Sequence, residues 1–273
     1  MHYCLSPVEG YVRVLGWGSA VDGEVVAVHR RFYELDLSPD FRRDLRDTLA
    51  EMIHPVEASL FLSRRGCDTC EDTLELMKAI EDEAPVRDGR KLFKLNVYWR
   101  EDPGALEAFK RERVERVPTV SFIEGYARWT GIPAGEEIRA LVEVIMRMSE
   151  RESGLEDSTK EELKRLKGRV HIEVIITPSC PYCPYAVLLS HMFAYEAYVG
   201  GNPVILSEAV EAYENTDIAD KYGVMSVPSI AINGQLVFVG VPYEEDFINY
   251  VKAAAEGRLR VRGPIEAGEA ESL

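Results

Sequence analysis

The stretch Thr177-Pro-Ser-Cys-Pro-Tyr-Cys-Pro-Tyr-Ala-Val187 sets two cysteines three residues apart, directly after the apolar run Val170-His-Ile-Glu-Val-Ile-Ile176. A Cys-x-x-Cys placed between a strand and a helix serves as a metal clamp, a structural disulfide or a reversible redox pair. The rest of the chain has to choose among them. A second pair, Cys67-Asp-Thr-Cys70, follows Glu57-Ala-Ser-Leu-Phe-Leu-Ser63 in the same way.

The likeness extends beyond the cysteines. Val117-Pro-Thr-Val-Ser-Phe-Ile123 is answered by Val227-Pro-Ser-Ile-Ala-Ile232, and Thr130-Gly-Ile-Pro-Ala-Gly-Glu-Glu-Ile138 by Val239-Gly-Val-Pro-Tyr-Glu-Glu-Asp-Phe247. Cys67 to Cys180 is 113 residues, Pro118 to Pro228 is 110, and Gly131 to Gly240 is 109. Three landmarks in one order at nearly one spacing mark a tandem duplication. Each copy reads strand, CxxC, helix, strand, short helix, Val-Pro hairpin, helix, with Asn233-Gly234 as a tight turn in the second. The order βαβαββα implies an α/β unit with a mixed central sheet flanked by helices. Amphipathic helices are expected upstream of each copy, over 41–52 and 160–167, and the polar run 149–157 separates the copies. The expected units are 39–152 and 153–256. Residues 1–38 form an N-terminal extension, either a hairpin of 11–15 with 24–28 or a disordered start, and 257–273 form a polar tail.

At 273 residues the chain accommodates two cores. A formal charge of -15 with no basic stripe argues against nucleic acid and anionic membranes as partners. No apolar run reaches the roughly 18 residues that cross a bilayer, and the N-terminus lacks a signal-peptide pattern, so a cytoplasmic protein is expected. Arg outnumbers Lys 23 to 9, with only one Gln and five Asn, a composition that points to a high-temperature source. In such cytosols disulfides persist.

Chemistry at the pairs follows from where they sit. A first cysteine at a helix N-cap, with the second about one turn inside, meets unpaired backbone N–H groups and the positive end of the helix dipole, which favour its thiolate. Cys67 and Cys180 are therefore the expected attacking thiols, and Cys70 and Cys183 the resolving ones. Pro181 suits the first turn. Asp68 beside Cys67 opposes ionisation, so Cys180 is expected to be the more acidic thiol and its disulfide the more oxidising. A four-cysteine zinc site is disfavoured because the two pairs stand 109 residues apart, against the roughly 15 to 20 of a zinc ribbon, and no His follows either pair. No metal or cofactor is expected, and Cys4 is given no role.

CxxC, then Val-Pro-Thr or Val-Pro-Ser, then a later Gly, all twice, resembles the thioredoxin superfamily, and most closely the glutaredoxin-like protein disulfide oxidoreductases of hyperthermophiles. The resemblance covers about residues 40 to 256 and implies two tandem thioredoxin-like folds. It also implies that Pro118 and Pro228 are cis prolines lying against the CxxC turns. Val117, Pro118, Val227 and Pro228 would then bind an extended client segment by backbone pairing, and Tyr182 is the aromatic residue placed to touch it. Implied partners are proteins carrying disulfides or dithiols, with a thioredoxin reductase as electron donor. Glu57 and Glu173 could move protons for the resolving thiols, although solvated strand-end carboxylates are the plainer reading. His191 reads as a packed or surface residue. The expected function is reduction, formation or isomerisation of disulfides in intracellular proteins. The alternatives are a dedicated electron carrier to a peroxidase or other reductase, and a chaperone-like peptide-binding module.

Overall fold

The computed structural model describes residues 32–260 together with 265–266. The hairpin expected at 11–15 and 24–28 lies outside the described residues, as do Cys4 and most of the tail.

The same series of elements occurs twice along the chain. In the first, α1 (Pro39–Leu49) precedes β1 (Val56–Leu62), α2 (Cys70–Glu83), the small hairpin β2 (Val86–Arg87) and β3 (Arg90–Lys91), β4 (Phe93–Trp99), α3 (Ala105–Arg111), β5 (Thr119–Phe122), β6 (Ala127–Thr130) and α4 (Glu137–Glu150). In the second, α5 (Asp157–Lys164) precedes β7 (Val170–Ile176), α6 (Cys183–Val199), β8 (Ile205–Glu211), α7 (Thr216–Tyr222), β9 (Ser229–Ile232), β10 (Gln235–Val239) and α8 (Glu244–Ala255). Local chemistry explains several of the boundaries. Pro39 opens α1 behind Ser38, whose hydroxyl accepts the Phe41 N–H. The Asp88-Gly89 and Asn233-Gly234 turns take the positive φ angles that close two-residue hairpins. The tail departs from expectation in one respect: β11 (Ile265–Glu266) pairs in parallel with β10.

Within each unit the registers match. β1 runs parallel to β4 from Val56↔Phe93, and β7 runs parallel to β8 from Val170↔Ile205. β5 and β9 lie antiparallel on the other side of β1 and β7. The two sheets then join edge to edge, a merger the repeat alone did not announce. β6 pairs in parallel with β8, Ala127↔Ser207 through Thr130↔Val210, giving one nine-stranded sheet of order β11-β10-β9-β7-β8-β6-β5-β1-β4. Helix α6 is apolar around its circumference because it packs on α4 and α5 while lying across β6, β7 and β8.

Two buried polar groups mark this seam. Arg128 and Glu208 are register partners across it, and their side chains pair at 2.9 Å. Burial alone would raise the Glu208 carboxyl, but hydrogen bonds from His171, Arg128 and Thr130, together with the Arg128 charge, hold it well below the usual carboxylate range. Behind the strands, Trp129 Nε1 donates to Glu137 at 3.1 Å, and its ring meets His191 edge-on at 4.4 Å between centroids. His191 Nδ1 lies 2.7 Å from the Ser207 hydroxyl. Burial pushes Glu137 up to about 7, against its hydrogen bond from Trp129, and pushes His191 down to about 3.

Two outcomes follow. Arg128→Met strands the Glu208 charge at the seam, so guanidinium unfolding should show a loss of about 3 kcal/mol or more, while the double change Arg128→Met with Glu208→Leu recovers most of it. Equal losses in both variants would show that the pair does not hold the seam. The second concerns Glu137, whose folded pKa lies above its unfolded one. The stability it contributes as a neutral acid is complete below about pH 4.5 and is lost as pH rises through about 7. Glu137→Gln keeps the acceptor for Trp129, so the variant should gain about 2 kcal/mol on wild type between pH 5 and pH 8. Parallel stability curves would contradict that assignment.

Candidate functional site

Each cysteine pair closes the turn between a parallel strand and the helix that crosses the sheet. Cys67–Cys70 and Cys180–Cys183 are both disulfides, with Cα atoms 5.6 and 5.5 Å apart. The inner cysteines are sealed, Cys70 at 1% and Cys183 at 0% exposure, whereas Cys67 is half-buried and Cys180 keeps 7%. In each pair the outer residue is thus the more accessible one, clearly so in the first pair and by a small margin in the second.

The helix starts differ by a few residues from the reading of the sequence. The N-caps are Thr69 and Tyr182, and the inner cysteine is the first residue of its helix rather than one turn inside. The outer cysteine stands two residues before the cap, and the first bonds of each helix are accepted by the cap residue, Thr69 O from the Thr73 N–H and Tyr182 O from the Tyr185 N–H. The two units then differ in which sulfur meets a backbone N–H, the outer one in the second unit and the inner one in the first. The Cys183 N–H, one of the orphan donors of α6, points at Cys180 Sγ at 3.1 Å. The Ser63 N–H lies 3.4 Å from Cys70 Sγ in the first unit.

The bonds Val117–Pro118 and Val227–Pro228 are both cis. Cys180 Sγ lies 3.6 Å from the Val227 carbonyl oxygen, which brings the second cis-proline loop against its cysteine turn. The two loops are built alike. Thr119 Oγ1 donates to the Arg116 carbonyl at 2.9 Å and Ser229 Oγ to the Ser226 carbonyl at 2.7 Å. Pro118 O accepts from Gly131 N and Pro228 O from Gly240 N. Both glycines have positive φ, which accounts for their recurrence in the repeat.

The surroundings of the pairs differ. Tyr182, inside the second motif, is 65% exposed, and Tyr185, Met225 and Tyr243 stand exposed on the helix and loops that frame it. The first turn carries charge instead. Arg64 pairs with Asp102 at 2.7 Å and lies over the Trp99 ring, while Glu101 accepts from Ser63 Oγ and Arg64 N–H.

The two strand carboxylates do not reach the cysteines. Side chains alternate across a strand, and Ile172, Val174 and Ile176 face the core that holds Cys183, so Glu173 points to the opposite face. There it is buried and accepts from Tyr222 Oη, which corrects its reading as a solvated group. Glu57 likewise faces away from Cys70 and is exposed beside Lys94. His191 is a packed residue of the seam. The sequence reading missed Glu214, which reaches the first CxxC from the second unit: Thr69 Oγ1 donates to its Oε2, and Ile132 N–H to its Oε1 at 2.7 Å. Its one signal was Gly131, whose missing side chain leaves room for it.

Two strand–turn–helix units, each with a cysteine pair at the helix start and a cis X-Pro bond before its hairpin, define a thiol–disulfide exchange protein. Residues 170–252 match the Thioredoxin domain family. Over 85 residues the chain is 34% identical to a thioredoxin of Methanocaldococcus jannaschii, covering 31% of this chain and 95% of that protein. A crystal structure of a protein disulfide oxidoreductase from Aeropyrum pernix k1 is 76% identical with a TM-score of 0.83, spanning 85% of this chain and 99% of that one. The NTD_N/C domain of alkylhydroperoxide reductase AhpF from Enterococcus faecalis shares the double fold, with a TM-score of 0.66 at 19% identity over 78% of this chain and 99% of that one. The chain belongs to the thioredoxin superfamily, among its protein disulfide oxidoreductases. It is a thiol–disulfide oxidoreductase of tandem thioredoxin fold.

Proposed function

We propose that both pairs turn over, with Cys67 and Cys180 attacking and Cys70 and Cys183 resolving, in two redox units spanning 39–152 and 153–256. The observation that supports this best is the inner cysteine sealed at the first residue of each helix, beneath a half-buried Cys67 in the first pair and, in the second, beside a Cys180 Sγ at which the Cys183 N–H is aimed.

In the reducing direction the outer thiolate attacks a client disulfide. One S–S bond forms as another breaks, and a client thiolate leaves and takes a proton. The inner cysteine, deprotonated as it attacks, then bonds to the outer sulfur of the mixed disulfide, releasing the second client sulfur as a thiol and leaving the enzyme disulfide. A dithiol donor reverses these steps on the enzyme and is itself oxidised. Forming a client disulfide is the same sequence run backwards. The backbone of Val117–Pro118 and Val227–Pro228 would hold the client segment as an added strand, and the exposed Tyr182 ring would cover its apolar side chains.

Clients are intracellular proteins, and a thioredoxin reductase supplies electrons in this reading. Among the described residues no helix is long and apolar enough to cross a membrane. A second reading, delivery of electrons to one dedicated peroxidase system, draws on the 28% identity over 131 residues with an alkyl hydroperoxide reductase of Pseudomonas aeruginosa, a match that spans 24% of that protein.

Insulin reduction coupled to dithiothreitol separates these readings from passive peptide binding. Cys67→Ser combined with Cys180→Ser should reduce turnover to the uncatalysed rate, and Cys183→Ser should accumulate a mixed disulfide visible on a non-reducing gel. Undiminished turnover in the double variant would favour a binding module. In variants retaining one pair each, thiolate absorbance should titrate at lower pH for Cys180 than for Cys67, since only Cys67 has a carboxylate, Asp68, as its neighbour in the chain.

A further inference from the structure

The turn that carries Cys67 and Cys70 has a neighbour from the other repeat. β8 leaves the seam at Glu211, and the loop 212–215 that follows lies against the first CxxC. Glu214 holds two groups there at once, Thr69 within the motif through Oε2 and the Ile132 N–H through Oε1 at 2.7 Å. The approach depends on Gly131, where a Cβ would stand 2.6 Å from Glu211 Cβ and 3.0 Å from Glu214 Oε1. Tyr213, in the same loop, stacks on Phe32 at 4.9 Å, and Tyr33 Oη donates to Asp72 in the first turn of α2 at 2.6 Å. Among the described residues, no side chain of the first unit hydrogen-bonds the Cys180 turn in return. The asymmetry is therefore built in.

We propose that Glu214 is a positioning residue of the first dithiol pair: through Thr69 it fixes the Cys67–Cys70 turn, and its negative charge disfavours the Cys67 thiolate and lowers the reduction potential of that pair. This rests on the reading of Cys67–Cys70 as an exchange site. Reduction of that disulfide takes two electrons from a client or donor dithiol, which becomes a disulfide and gives up two protons. An outer cysteine stabilised as a thiolate keeps only one of them on sulfur. A carboxylate at the turn opposes that charge separation, so both protons end on Cys67 and Cys70. The reduced state then gains no electrostatic stabilisation, and the pair becomes the better electron donor.

The groups facing Glu214 are Thr69 and Asp68 from the turn, the Ile132 N–H from the loop after β6, and Glu211 from its own strand end. Burial raises the Glu214 carboxyl against its bonds from Thr69 and Ile132, with the Asp68 charge adding to the rise, and burial pushes Glu211 up to about 7. The pair of glutamates therefore carries less charge in mild acid than at pH 8, and the effect on Cys67 should grow with pH.

The test uses the full chain with Cys180→Ser and Cys183→Ser, so that only the first pair responds. Glu214→Gln and Glu214→Ala are each compared with this parent by equilibration with glutathione, quantified by alkylation and mass spectrometry, and by titration of thiolate absorbance. Glu214→Gln should lower the Cys67 pKa by about one unit and make the disulfide about tenfold easier to reduce, about 30 mV for a two-electron couple, with a larger difference at pH 8 than at pH 6. Glu214→Ala should shift both quantities in the same direction. If Glu214→Gln leaves both unchanged and alters only the melting temperature, Glu214 is a packing contact and the proposal is overturned. Failure of the parent to equilibrate with glutathione at all would remove the first pair from the exchange chemistry, and the proposal would fall with it.

Discussion

The parallel pairing of β6 with β8 is the constraint on which the arrangement depends. It joins the inner edge of one unit to a different edge of the other, a heterologous contact in which equivalent residues meet unlike neighbours. The two copies could not stay alike once this edge was buried. Arg128 of β6 corresponds through the Gly131 and Gly240 landmarks to Val237, and Glu208 of β8 corresponds through the strand registers to Asn96. A charge suits each seam position because its partner stands opposite. At the equivalent positions away from the seam, a lone buried charge would go uncompensated.

The same pairing explains why the two cysteine turns sit in different surroundings. Extending the sheet brings the loop after β8 against the first turn, and brings the loop after β6 against the approach to the second. The latter contact is close: Glu136 N–H donates to Pro178 O at 2.9 Å, and a Cβ on Gly135 would stand 2.3 Å from that oxygen. Each repeat thus buttresses the redox turn of the other. Among the described residues the second turn receives a backbone hydrogen bond from the first unit and keeps its aromatic rim open, whereas the first turn receives a carboxylate. The CxxC motifs differ by their two inner residues and also by what reaches them from outside the motif.

Much of this was legible in the sequence. Cysteines at a strand–helix junction, prolines before a strand and glycines after it record backbone demands that few other residues meet, so the repeat and the place of all four sulfurs at strand–helix turns could be read from residue type alone. The position of Glu173 was also recorded, in the parity that separates it from Ile172, Val174 and Ile176, and a strict reading of the strand pleat would have turned it away from Cys183. The seam was not legible. A strand edge is recognised through its backbone N–H and C=O groups, which every residue carries, so Arg128 and Glu208 look like any charges on a strand until the partner strand is known. Glu214 was hidden for the same reason, since its contacts span 145 residues to Thr69 and 82 to Ile132.

The sealed inner sulfurs bear on rate more than on equilibrium. A mixed disulfide has two exits, attack by the inner thiol or attack by another thiol from solution. Holding the inner cysteine at the first helical residue, with Cα atoms 5.5 to 5.6 Å apart, makes the first exit intramolecular. Burial reserves the inner sulfur for that step by keeping foreign disulfides from it. Burial also disfavours the inner thiolate, which slows that same intramolecular attack unless a group removes its proton as the bond forms. Glu57 and Glu173 are on the wrong face of the sheet to do so. In the opposite direction, when a client disulfide is formed, the outer sulfur is the group that leaves the mixed disulfide. A leaving thiolate stabilised by the helix terminus departs more readily, so in the proposed cycle the N–H aimed at Cys180 would favour both its attack and its release.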